Sequence, residues 1–489
     1  MEDYEMSELS GNVRKLKQKN DFFYFDQFLI EKMLGRNYDV EEITTQIRNQ
    51  AYRTCVAAMG EDKVAAVQTM QKWFGIHGRT VPSRETMFHL GFSLHLTMEE
   101  VREYLIRGLH EPDFQVNDYR EVLFMYGYTN QLTYAHVLEL IQKFESMLEP
   151  ELELQQHNHT DDMLEEYQIN CHLPEDEFLQ WMSDNAEEFK GYSKTVLDYF
   201  RLYKEEILLG IKEEAEQDLE ELLSQTTYAQ WEKNRFHKGF RKNDRVDKKK
   251  NIQKYINMEL RRDNSCISED MEKRFKEVLE MAFLSVESNQ ELLAELYASL
   301  NSKVRNHKTN NLKDTSKKRI PLNVNLMDHK YISDLLNVSI HKERQIQLSI
   351  IQNYLTRCEE DTPFPSWMEE QLRIYKYDGN MGDRENLKIW LTKKMNEQKR
   401  RCNVLKRSDL LPLVLCVAQR RHLIKKSKKE SINVTEAREE FVELANQTLS
   451  ACHMELLQPE RYELDAVLMM CYQKEDMYFL ADVLEELVK

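Results

Sequence analysis

The run Val196-Leu197-Asp198-Tyr199-Phe200-Arg201-Leu202-Tyr203-Lys204-Glu205-Glu206-Ile207-Leu208-Leu209-Gly210-Ile211 places Val196, Tyr199, Phe200, Tyr203, Ile207, Leu208 and Ile211 three and four residues apart. A helix turns about 100° per residue, so these seven share one face, whereas a strand would demand alternation. The stripe is the core side of a helix or a partner-facing side. Two or three longer acidic helices are expected over 175–225, with this run on the last of them.

The same period recurs outward in both directions. Residues 21–34 (Asp21, Phe22, Phe23, Phe25, Phe28, Leu29, Leu34) and 41–59 read as amphipathic helices, the second opening after Asp39. Short helices follow to about residue 147. They are punctuated by Gly60, Gly75 to Gly78, Pro82 with Ser83 as a cap, Thr97 with Glu100 as a capping box, and Pro112. Later stripes run over Leu410 to Ile424, Phe441 to Leu456 and Phe479 to Leu487. Only 13 Gly and 9 Pro interrupt 489 residues, too few turn signals for a many-stranded fold. The fold class expected is all-α: a multi-domain helical protein with an N-terminal helix-turn-helix-like bundle.

The length fits several domains rather than one core. Composition divides the chain into a helical unit over 1–147, an acidic helical middle over 148–300, a polar Asn/Lys-rich linker over 301–325 and a C-terminal helical block over 326–489. Net charge is −17, and residues 145–224 hold 23 acidic against 5 basic residues, so the remainder is close to neutral. Three basic runs stand in that remainder: Lys233 to Arg262, Lys303 to Arg319 and Lys393 to Lys429. Each reads either as a solvated helix face or as a nucleic-acid surface. In the first run Trp231, Phe236, Phe240 and Tyr255 are either core or rings that stack on bases.

Eight scattered cysteines (Cys55, Cys171, Cys266, Cys358, Cys402, Cys416, Cys452 and Cys471) form no CxxC pair and read as reduced small hydrophobes. No window approaches 18 apolar residues, and Met1 to Ser10 is acidic where a signal peptide would be basic, so a cytoplasmic protein without a membrane partner is expected. Phosphate-loop, dinucleotide, zinc-hydrolase and serine-elbow motifs are missing, and no catalytic residue, cofactor or metal is expected. His157, His159, Asp161, Asp162, Cys171 and His172 are metal-ligand types in a spacing that fits no standard site and read as an acidic polar loop. An internal echo lays Leu105–Tyr128 without gaps on Leu449–Tyr472, pairing Leu105 with Leu449, Gly108 with Cys452, Met125 with Met469 and Tyr128 with Tyr472.

Residues 71–100, QKWFGIHGRTVPSRETMFHLGFSLHLTMEE, resemble the second half of lambda-repressor-like (XRE-type) helix-turn-helix regulators. In that family a Gly/Arg-containing turn follows the recognition helix, a P-S-R-E-T-like run opens the next helix, and an L-x-L-T-x-E-E-like run opens another. The likeness extends over about residues 60–128, and the tail Phe441 to Leu487 looks like one found in related bacterial chains. It implies that Lys63 to Trp73 is the helix presented to a major groove. The contact set it implies is Lys63, Gln68, Gln71, Lys72, Arg79 and Arg84. Gln and Arg suit base edges, Lys and turn groups suit phosphates. Val64, Ala65, Ala66, Val67 and Met70 on the same helix also fit a module that packs against protein.

A non-enzymatic regulatory protein, a DNA-binding transcriptional regulator of this type, is therefore expected, with a homo-oligomer in view. A helical scaffold or adaptor that binds a protein partner is the alternative. The Arg84-x4-His89 spacing is also similar to that of helical HEPN-type ribonucleases, which gives a second alternative, an RNA-cleaving defence protein.

Overall fold

In the computed structural model the stripe Val196 to Ile211 lies on one 31-residue helix, Lys194–Ser224, about 46 Å long at 1.5 Å per residue. Ser193 caps it by accepting from the Val196 amide. Val196, Phe200, Tyr203, Ile207 and Leu208 are buried in the largest apolar cluster, so the stripe is core. The structure describes residues 2–19, 22–150, 152–154, 158–189, 191–236, 245–262, 265–298, 300, 326–359, 362–425, 433–474 and 476–488. The expected linker at 301–325 and the second basic run lie outside the described residues.

Twenty-three α-helices and no strand occur among the described residues, so the chain is all-α. In order they are α1 (Glu2–Gln18), α2 (Phe25–Leu34), α3 (Thr45–Met59), α4 (Val67–Trp73), α5 (Arg84–Ser93), α6 (Met98–Glu103), α7 (Tyr119–Thr129), α8 (Tyr134–Glu145), α9 (Thr160–Asn170), α10 (Glu175–Asp184) and α11, the long helix above. Then come α12 (Tyr228–Phe236), α13 (Arg245–Glu259), α14 (Glu269–Ala282), α15 (Gln290–Tyr297), α16 (His329–Leu336), α17 (Val338–Arg357), α18 (Ser366–Ile374) and α19 (Arg384–Lys399). The C-terminal four are α20 (Arg407–Lys425), α21 (Val434–Ala451), α22 (Glu463–Met469) and α23 (Leu480–Val488). None is long and apolar enough to cross a membrane.

Local chemistry explains the boundaries. Ser83 caps α5 through the Thr86 amide, and Thr97 with Glu100 forms the expected capping box on α6. One boundary differs: α3 is capped by Thr44, whose side chain accepts from the Ile47 amide, while Asp39 precedes a separate 3-10 turn at Val40–Glu42. Left-handed residues end several helices and turn the chain into the next, among them His95, His110, Gln131, Lys376 and His453.

Four apolar clusters form among the described residues, and they cross the compositional boundaries at 147 and 300. One joins α2–α10, Phe189 and two residues of α17. The largest joins α1, the first half of α11, α15, α16 with Val338 at the start of α17, and α20–α23. A third sits between the second half of α11 and α12–α14, and a fourth between α17, α18 and α19. The two ends of the described chain meet in the largest cluster, where Asn12 donates to Gln473 at 2.7 Å and Ser10 bonds Glu486.

The echo between Leu105–Tyr128 and Leu449–Tyr472 is matched by a repeated hydrogen-bond constellation. Arg84, first residue of α5, bonds both oxygens of Glu121 (2.7 and 2.8 Å) and the carbonyls of Pro112 and Asp113 (2.8 and 2.7 Å). Glu121 also accepts from the Gln115 amide at 2.7 Å. Arg407, first residue of α20, bonds both oxygens of Asp465 at 2.5 Å and the carbonyls of Glu455 and Leu456 (2.7 and 3.1 Å). Asp465 in turn accepts from the Gln458 amide at 2.7 Å. Each acid is the third residue of its helix, and each loop begins at a left-handed histidine, His110 or His453. The two loops touch: the Asp113 amide donates to the His453 carbonyl at 3.4 Å, and the His110 and Tyr462 rings meet edge-on with centroids 4.4 Å apart.

Candidate nucleic-acid interface

α2, α3 and α4 form the N-terminal platform. α3 buries Ala51, Cys55 and Met59 and leaves Gln46, Gln50 and Arg53 exposed. Asp26 on α2 is almost fully buried and draws in two arginines, Arg48 Nη1 at 2.5 Å and Arg79 Nε at 3.2 Å. Arg48 also donates to the Phe74 carbonyl at 2.7 Å, and the Arg79 guanidinium lies 4.7 Å over the Tyr24 ring. Gly75 is needed here: at φ 69° a Cβ would stand 2.1 Å from Arg48 Nη1. The turn after α4 closes on Lys72, whose carbonyl accepts from the Gly75 and Thr80 amides (3.1 and 3.3 Å).

α4 itself is only seven residues long, and a seven-residue connection, Gly60 to Ala66, separates it from α3. Helix-turn-helix pairs are joined by about 3–4 residues, so this platform is looser between its last two helices. Lys63, expected on the helix, lies exposed in that connection. Met70 and Trp73 bury the inner face of α4, and Gln68, Gln71 and Lys72 share the opposite face at i, i+3 and i+4. Gln68 and Lys72 are exposed and Gln71 is half-buried. Arg79, in the turn that follows α4, is half-exposed. Val67 and Val81, 61% and 62% exposed, are mixed among these polar groups.

Arg84 lies apart from the other five. Its side chain retains 10% of its accessible surface, and its donors are taken by Glu121, Glu111, Pro112 and Asp113. Burial opposes the charge on the guanidinium, but Glu121, Glu111 and Asp113 outweigh it and raise its pKa, so Arg84 is a permanently charged structural post. His89, five residues along α5, is about 140° round the helix from Arg84. Its ring stacks flat on Tyr134 at 4.0 Å and faces Asp62 at 3.8 Å. The partners of Arg84 and His89 do not overlap.

Asp62 marks the edge of a two-part cleft. One part, about 630 Å³, runs between Phe92, His95–Glu99, Gly127–Thr129, Gln131 and Leu132. The other, about 500 Å³, adds Met59, Glu61, Asp62 and Tyr134. Its lining combines aromatic rings with carboxylates and contains no lysine or arginine.

Three of the metal-type residues are engaged locally: Asp162 accepts from the His159 amide, Asp161 faces His453 at 3.1 Å, and Cys171 is buried against the Gln168 carbonyl. His157 lies outside the described residues. No group of three or more His, Cys, Asp or Glu side chains poised around one point occurs among the described residues. Five cysteines are buried, and Cys266 is exposed. Burial pushes the Cys55, Cys416 and Cys452 thiols up to about 12. In the first basic run, Tyr255 is fully buried and Trp231 packs on the same cluster, so these two rings are core rather than stacking platforms. Phe240 lies outside the described residues.

Neither Arg407 nor its acid Asp465 was singled out in the sequence. The signal was available: an arginine opening a helix, and an acid at the third position of a later helix that lies inside a segment of the echo. No known protein family, curated protein or solved structure matches the chain.

Proposed function

We propose that this protein is a non-enzymatic regulator that binds DNA through the outer face of α4. The observation that carries the reading is the arrangement of Gln68, Gln71 and Lys72 on one outward face, with Lys63 before it and Arg79 after it, on a platform braced by Asp26 and two arginines. Gln68 and Gln71 would meet base edges, and Lys63, Lys72 and Arg79 would meet phosphates. Arg84 supports the platform from inside and is withdrawn from the contact set.

The test is an electrophoretic shift with genomic fragments at two salt concentrations. Lys63→Ala with Lys72→Ala should weaken binding to all sequences and lower the log–log salt slope by about two. Gln68→Ala should narrow the difference between preferred and random sequence. Absence of any shift at low salt removes the reading.

A second reading, an adaptor for a protein partner, is favoured by the exposed Val67 and Val81 and by the shortness of α4. Stoichiometric co-purification of a protein, lost in Val67→Asp with Val81→Asp, would establish it in place of the first.

A further inference from the structure

The second half of α11 and helices α12–α14 form an arm with its own apolar cluster, built on Leu219, Leu222, Tyr228, Ile252, Tyr255, Ile256, Phe275 and Leu279. On α13, Ile252, Tyr255, Ile256 and Glu259 are buried and occupy one side of the helix. Lys250, Gln253, Lys254, Asn257 and Arg261 occupy the other, at i, i+3, i+4, i+7 and i+11, the last in the turn that closes the helix, and all five are exposed. From Lys250 to Arg261 no carboxylate falls on that face. None of the three cations is paired with an acid among the described residues, whereas neighbouring Lys249 is held by Glu280 at 2.8 Å. By contrast, α11 exposes Glu213, Glu214, Asp218, Glu220 and Glu221.

A chain of net charge −17 repels a polyanion at long range, so a contact with one requires its cations to be sorted onto a separate face. α13 meets that requirement. Lys250 to Arg261 spans about 16 Å along the axis at 1.5 Å per residue, and a helix of this width enters the major groove of duplex DNA. The two amides between the cations are groups that donate to and accept from base edges and sugars.

We propose that α13 is a second nucleic-acid contact, with Lys250, Lys254 and Arg261 on the phosphate backbone of duplex DNA and Gln253 and Asn257 between them. The inference rests on the DNA-binding reading for the class of polyanion, but it assigns a surface that the helix-turn-helix-like platform does not contain. Three neutralised phosphates contribute a log–log salt slope of about −3.

The test uses the full chain, random-sequence duplex DNA as the probe and fluorescence anisotropy across a salt series. K250E/K254E/R261E is compared with K63A/K72A and with the parent. Because the three side chains are exposed, the triple variant keeps the parent's helical content and melting temperature. The expected result is a loss of at least about tenfold in affinity and a salt slope lower by about three.

An unchanged affinity and slope in the triple variant, with binding lost in K63A/K72A, overturns the α13 contact and leaves the α4 reading standing. Loss in the triple variant alone upholds α13 and removes α4. No binding by the parent at low salt overturns both. If the triple variant dissolves a self-associated form of the parent in sedimentation and leaves DNA binding unchanged, the basic face meets the acidic α11 of a second copy, and the proposal fails.

Discussion

His110 and Asp409 carry opposite pH dependences that one fold makes compensate. Burial, aided by Arg407 and Arg461, pushes the His110 imidazole down to about 4 from an ordinary value near 6.5. Its folded form resists the proton that the unfolded chain accepts, so stability falls as pH drops from about 6.5 to 4. Burial pushes the Asp409 carboxyl up to about 6, against the pull of the Lys406 amide and the Tyr331 hydroxyl. It takes its proton earlier in the folded state, so stability rises as pH drops from about 6 to 4. Each effect is worth up to about 3 kcal/mol, at 1.36 kcal/mol per unit. Asp409→Asn should therefore make the protein more acid-labile over pH 4–6, and His110→Asn, which tolerates the left-handed φ of 55°, should make it less so. Urea midpoints across that range decide; parallel pH profiles for parent and both variants would show that neither group titrates as assigned.

The constellation around each buried arginine explains how short helices hold their places. α5, α6 and α7 are too short to persist alone, since isolated helices below about 12–15 residues are marginal in water. Arg84 ties the start of α5 to the carbonyls of the loop that opens at His110 and to the third residue of α7, and Arg407 does the same for α20 and α22. Only a guanidinium supplies enough fixed donors to satisfy a carboxylate and two carbonyls at once. Arg84→Ala and Arg407→Ala each leave a buried acid unpaired and should cost about 3–5 kcal/mol, with lysine recovering a minor part. Equal urea midpoints for Arg84→Lys and the parent would remove this account.

Across the molecule, polar pairs join the N-terminal helices to the C-terminal ones where apolar clusters meet. Lys342 on α17 donates to Asp118 at 2.6 Å inside the core, Asn353 reaches Glu145 at 3.1 Å, Lys406 reaches Glu111 at 2.5 Å and Lys399 pairs with Glu85. Gly191, at φ 76°, leaves room for this lysine, since a Cβ there would stand 2.5 Å from Lys342 Cε. Burial opposes ionisation of Asp118, but Lys342 prevails and holds its carboxyl below the usual range. Lys342→Met strands that carboxylate and should lower stability by about 3–5 kcal/mol. Adding Asp118→Asn should restore most of the loss, because the unpaired charge is then gone. The double-mutant cycle reads the coupling directly, and additive losses would mean that the two groups act independently.

The all-α class and the caps at Ser83, Thr97 and Glu100 were legible in the sequence, because helical period and capping chemistry are properties of a few consecutive residues. So was the echo between Leu105–Tyr128 and Leu449–Tyr472. The tertiary structure alone decided that the Val196 to Ile211 stripe is core, that Tyr255 is buried, and that Arg84 faces inward rather than toward a groove. It also decided that α1 packs on α23 at the far end of the chain. Burial of a charged or aromatic side chain depends on acceptors and apolar surface brought in from distant segments. No local pattern encodes where those segments will lie.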